Sequence, residues 1–81
     1  METRIAVMSI IVEKRDSVSI LNDILHEYGE YIIGRMGIPY KERGINIISV
    51  ALDAPQSTIS AISGKIGALP DVQVKTAYSK T

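Results

Sequence analysis

The chain has 81 residues, no cysteine, one histidine, and nine acidic against nine basic residues. This excludes disulfides and Cys-based zinc or iron–sulfur sites, and with His26 alone a multi-histidine metal site cannot form within one chain. The zero net charge, with acids and bases mixed in short groups such as EKRD and YKER, leaves no basic footprint for direct binding of DNA or RNA.

A chain of this length is expected to form one domain, residues 1–81, with a core of limited size. Small folds without disulfides or metals are usually supported by association with another chain. No targeting pattern stands at the N-terminus, and no apolar run approaches the length needed to cross a membrane. A soluble cytoplasmic protein is the expectation.

The first run, RIAVMSIIV (Arg4 to Val12), is apolar at nearly every position and rich in Ile and Val, which predicts a central strand. In DSVSILNDILHEYG, Val18, Leu21, Ile24, Leu25 and Tyr28 recur at helical spacing. Asp16 or Ser17 suits the N-cap, and Gly29 fits just past the end. A second strand is expected from Tyr31 to Ile38, stopped by Pro39, with PYKERG as a hairpin loop in which Gly44 supplies a positive φ or a bulge. INIISVAL (Ile45 to Leu52) is a third strand, apolar on both faces and so central. Pro55 opens a second helix with Ile59, Ile62, Ile66 and Leu69 at spacings of three and four, and Pro70 closes it. Gly64 and Gly67 weaken that helix but would let it pack closely on a sheet. DVQVKTAYS alternates cleanly and reads as an edge strand with one wet face.

The order β-α-β-β-α-β is the split βαβ of a ferredoxin-like α+β fold. Right-handed crossovers place both helices on one face of a four-stranded antiparallel sheet, with strands one and three in the middle. The helices cover one face only. Yet strand one carries Ile5, Val7 and Ile11 on one side and Ala6, Met8, Ile10 and Val12 on the other, and strand three is equally two-faced. The uncovered apolar set predicts a homo-oligomer, a dimer or tetramer, that covers the open face or joins edge strands.

The second strand poses a separate question, because Gly34 and Gly37 interrupt it around Arg35 and Met36. Glycine inside a strand marks a bulge or the close approach of a backbone or ligand. The favoured reading is a bulge or tight subunit contact with Arg35 solvated. In the other, a ligand approaches and Arg35 grips a carboxylate through two hydrogen bonds.

IVEKRDSVSILNDILHEYGEYI resembles the opening of an ACT-type regulatory domain, with Val12-Glu13, Val18, Leu21, Ile24, Leu25 and Gly29 on matching places. Asp16-Ser17 stands where those domains commonly have Pro-Gly, whose glycine admits an amino-acid ligand to the backbone. GRMGIP, INIISVALDAP and TISAISGKIGALPDVQVKT together resemble a small family of stand-alone ACT-like proteins. These are described as regulators of the iron-only hydrogenase system, with a fold similar to the C-terminal domain of the nickel-responsive repressor. The resemblance implies a regulatory, non-catalytic role near hydrogenase maturation, with a small effector or a protein partner bound at subunit interfaces. A purely structural protein docking on a maturation partner is the alternative. In ACT-like dimers ligands lie between the strand-one-to-helix turn of one subunit and strand two of its neighbour. By that resemblance Arg15, Asp16, Ser17 and Asn22 would face Gly34, Arg35 and Gly37. The repressor's nickel site uses histidines and a cysteine, which this chain lacks as a set, so nickel binding is not carried over.

The remaining signals have plainer readings. Ser63-Gly64-Lys65 lacks the upstream glycine and the following Ser or Thr of a phosphate loop, and it falls late in its helix. Gly29 and Gly34 have phosphate-loop spacing, but Arg35 replaces the lysine in a strand. His26 shares a helix face with Asn22, Asp23 and Glu30 and reads as solvated, Met8 and Met36 as core or interface filling, and Lys41 to Arg43 as a solvated turn. No nucleophile–base pair or buried carboxylate pair is legible, so neither an enzyme nor a cofactor is expected.

Overall fold

The computed structural model describes residues 2–80. Strand β1 (Arg4–Val12) leads to helix α1 (Arg15–Glu27), then to strands β2 (Ile32–Tyr40) and β3 (Ile45–Ala54), helix α2 (Gln56–Gly67) and strand β4 (Val72–Tyr78). The sheet order is β2-β3-β1-β4, antiparallel throughout, so β1 and β3 are central and β2 and β4 are the edges. This is the expected ferredoxin-like arrangement.

Side chains alternate across a strand, so cross-strand partners share a face. Met8 opposes Val50, and Ile10 opposes Ile48 and Val74. These residues, with Ala6, Val12, Leu52 and Ala54, pack under Leu21 and Leu25 of α1 and Ile59, Ile62 and Ile66 of α2. Met8, Ile10, Leu21, Ile59 and Ile62 are wholly buried. The opposite face carries Ile5, Val7 and Ile11 from β1, Ile47 from β3 and Met36 and Ile38 from β2, all still exposed.

Several boundaries differ from the sequence expectation. Tyr31 belongs to a short 3-10 turn (Gly29–Tyr31), and β2 runs on through Pro39 to Tyr40. Pro39 does not stop the strand because β2 is an edge, where one row of N–H groups needs no partner. The loop shrinks to a 3-10 turn (Lys41–Arg43) closed by Gly44, whose φ of 65° is the left-handed conformation glycine adopts most readily. Neither Asp16 nor Ser17 caps α1. The helix starts earlier, with Lys14 at the N-cap and no side-chain cap bond. Ser17 is buried instead, and its Oγ donates to the Pro70 carbonyl at 2.9 Å, tying α1 to the turn before β4. That tertiary bond outweighs the local capping preference. The second helix ends at Gly67 rather than Leu69. A Cβ on Gly67 would meet Val74 Cγ1 at 3.4 Å, so this glycine does sit close to the sheet, whereas Gly64 faces open space.

Candidate functional site

Two surfaces stand out, on opposite sides of β2. The ladder shifts between Ile32 and Gly34, so Ile33 is the extra residue of a β-bulge. Beyond it Gly34 opposes Ala51 and Met36 opposes Ser49 on the open face, while Arg35 opposes Val50 and Gly37 opposes Ile48 on the helix side. Strand alternation therefore splits the glycine–arginine motif between two faces, and the bulge sets which residue takes which face.

On the open face, rows of residues run across the sheet. Ile38, Ile47 and Ile11 form one apolar row, and Gly34, Ala51, Val7 and Ala77 form a second of mostly small residues. Between them lies Met36, Ser49, Ser9 and Lys75. Charge is thus confined to the margin. A Cβ on Gly34 would meet no atom within 4 Å and its φ is not positive, so nothing within the described chain demands a glycine there.

On the helix side, α1 packs on β1 and α2 and leaves β2 uncovered. A trough remains between α1 and β2. Towards the hairpin it opens into a groove of about 350 Å³ between Arg15 and Val18 of the first turns of α1 and Pro39, Tyr40, Lys41 and Asn46. At the other end a shallower hollow of about 510 Å³ is bordered by Asn22, Asp23, His26, Gly29, Ile32 and Arg35. Gly37 is in the strand between them, its missing side chain leaving Ile48 Cγ1 4.0 Å from where a Cβ would lie.

Arg35 Nη2 donates to Asn22 Oδ1 at 2.7 Å. The neutral amide fixes the guanidinium without neutralising it, leaving the remaining N–H groups of an oriented cation for another acceptor. Arg15 and Lys41 form no ion pair among the described residues, whose two are Lys14–Asp71 and Lys65–Glu27. Glu42, the carboxylate nearest Lys41 in sequence, accepts a bond from the Tyr40 hydroxyl at 3.0 Å.

The candidate residues from the two parts of the sequence are therefore partly assembled within one chain. Asn22 and Arg35 meet, and Arg15 lies further along the same trough with Gly37 between. Ser17 is buried against Pro70 and faces no ligand space, while Gly34 lies on the opposite sheet face. Asp16 lines neither groove and sits in the first turn of α1, where its charge suits the helix dipole. Lys41, expected as a solvated turn charge, lines the groove beside Tyr40 and Asn46, with Arg15 and Val18 of α1 lining it too. His26 is exposed, and among the described residues no group of three or more His, Asp or Glu is placed to hold a metal ion. Lys65 of the phosphate-loop lookalike is in α2 with its Nζ 3.2 Å from Glu27 Oε1 and 4.9 Å from the Tyr28 ring centroid, joining the two helices. Among the described residues no helix is long and apolar enough to cross a membrane.

The family model TM1266-like, described as "Iron-only hydrogenase system regulator, putative", matches residues 4–76. The solved structure of the uncharacterized protein TM1266 from Thermotoga maritima shares 35% identity and superposes with a TM-score of 0.94, covering 98% of this chain and 100% of that one. An unknown protein from Galdieria sulphuraria shares 18% identity at a TM-score of 0.72, over 99% of this chain and 47% of its own. A formyltetrahydrofolate deformylase from Pseudomonas putida KT2440 shares 11% identity at a TM-score of 0.64, over 90% of this chain and 28% of its own. These last two are alike in fold alone. No curated protein matches the chain significantly.

Proposed function

Because the chain belongs to the TM1266-like family of iron-only hydrogenase system regulators, we propose that it is a non-catalytic regulatory module. It works as a homo-oligomer and takes a small effector or a protein partner close to the surfaces its subunits share. The observation that carries this reading is the apolar open face of the sheet. Ile5, Val7, Ile11, Ile38 and Ile47 are 37–47% exposed there and Met36 is 60% exposed. Those six side chains still offer roughly 500 Å² to solvent, against about 800 Å² per partner in a standard interface, and the small residues between them add to it. A second copy covers such a face with a matching one, as two-fold dimers do.

Regulation then follows from linkage. An effector that binds one subunit arrangement more tightly shifts the population towards it, by no more than its difference in affinity for the two. Light scattering over a range of concentrations tests the oligomer, and a monomer at every concentration would sink it. Thermal shift with amino acids, nucleotides and divalent metals tests the effector. A true effector at a hundred times its Kd stabilises by about 2.7 kcal/mol. A flat response to all three classes moves the reading to its second form, a module that docks on a protein of the hydrogenase system and senses no small molecule.

A further inference from the structure

We propose that the edge of β2, with the trough between it and α1, is a docking site for an extended acidic peptide segment of another protein, added as a fifth strand. The inference deepens the protein-partner reading above and uses a surface separate from the open face.

The backbone supplies the first argument. β2 is a nine-residue edge strand, exposed along nearly its whole length. Pro39 has no N–H, so it takes a ladder position whose amide points away from β3. Backbone direction alternates along a strand, so the N–H groups of Arg35 and Gly37 point outward with it. The bulge at Ile33 and the proline at Pro39 bound a regular stretch, residues 34–38, whose outer edge is open to an incoming strand.

The trough supplies the second. An added strand projects alternate side chains to the helix side of the sheet. There α1 stands back from β2, Gly37 removes the side chain that would block the middle, and a hollow lies at either end. A groove between a helix and a free sheet edge is the geometry in which backbone pairing gives affinity and side-chain pockets give selectivity.

Charge selects the occupant. Arg35, held by Asn22 but not neutralised, lies beside the edge in a hollow it shares with Asp23, and Arg15 and Lys41 lie further along the trough, so three cations line it against one carboxylate. β2 itself, IIGRMGIPY, has one base and no acid. Two-fold pairing of β2 with a second copy about Met36 would set Arg35 opposite Gly37 of that copy and leave the two Arg35 side chains as diagonal neighbours on one face, like charges within reach of each other. An acidic strand meets attraction at the same place.

The test uses the full chain and two fluorescein-labelled eight-residue peptides, one alternating glutamate with valine and one alternating lysine with valine. Fluorescence anisotropy is expected to show the acidic peptide binding at least about tenfold more tightly, with an affinity that weakens as salt rises. Hydrogen exchange is expected to show new protection at the amides of Arg35 and Gly37. Arg35→Glu, an exposed substitution whose folding circular dichroism confirms, should reverse the preference. Equal affinity for the two peptides, no binding by either, or binding that leaves the exchange of Arg35 and Gly37 unchanged would each overturn the proposal. Repeating the titration on Ile47→Asp separates the two readings. Peptide binding that survives there stands whatever the oligomer does, and an oligomer that sediments normally while no peptide binds leaves the open-face reading intact.

Discussion

Replacing Ile47 by Asp tests the open face most directly. Ile47 is central, opposite Ile11 on one side and Ile38 on the other. At 40% exposure its side chain offers roughly 75 Å² to solvent, worth about 2 kcal/mol if buried at about 25 cal/mol per Å². A two-fold dimer loses that contribution twice, about 4 kcal/mol, so its Kd should rise by about a thousandfold. This is a lower bound, since the new carboxylate must also be desolvated in the interface. The monomer should lose no more than about 1 kcal/mol, the span of strand propensities, because the position faces solvent there. Sedimentation velocity at several concentrations reads the association, and urea unfolding at a concentration where both proteins are monomeric reads the fold. Unchanged association of a folded variant would refute the argument, because it would place the interface elsewhere.

Gly34→Val should leave the fold intact, since a Cβ there meets no atom within 4 Å, yet weaken association wherever a second chain lies close over the Gly34–Ala51 row. The two effects are read by thermal melting and sedimentation. Ser17→Ala removes a buried hydrogen bond and orphans the Pro70 carbonyl. It should cost about 1.5 kcal/mol and lower Tm by roughly 6–12 °C in a calorimetric scan. Lys65 is held protonated by Tyr28 and then Glu27, which raise its pKa above the ordinary 10.5. A raised folded pKa gives stability that is complete below 10.5 and is lost as pH climbs through the folded value, so urea midpoints should fall in that alkaline range. Lys65→Met should remove that component of the fall.

The order of elements was legible because each had a strong local signature. β1 and β3 are unbroken Ile- and Val-rich runs, and α1 repeats Leu21 and Leu25 at helical spacing. The apolar excess on the outer face could be counted for the same reason. The local devices were not legible in the same way. Ser17 has the chemistry of a cap, and only the approach of Pro70, 53 residues away, shows that its hydroxyl is used elsewhere. Pro39 signals an end to a strand until β2 is known to be an edge. Arg35 and Asn22 could be paired as candidates, but their meeting within one chain depends on how α1 lies beside β2. Lys41 joins that surface because the hairpin and the start of α1 line one groove, a juxtaposition of distant segments that no local pattern encodes.

The extra residue at Ile33 sets the parity of everything after it. Were the ladder to run straight through Ile33, Arg35 would land opposite Ser49, in the middle of the apolar face, and Met36 opposite Ile48, in the trough. One strand thus serves two unlike surfaces, and a single offset assigns its side chains between them. The deletions open to this segment are correspondingly unequal. Loss of Ile33 alone straightens the strand and keeps every later pair, whereas loss of one residue between Arg35 and Pro39 exchanges the surfaces for the residues on one side of the gap. Among natural or engineered length variants of β2, those that keep both surfaces should be shortened at Ile33.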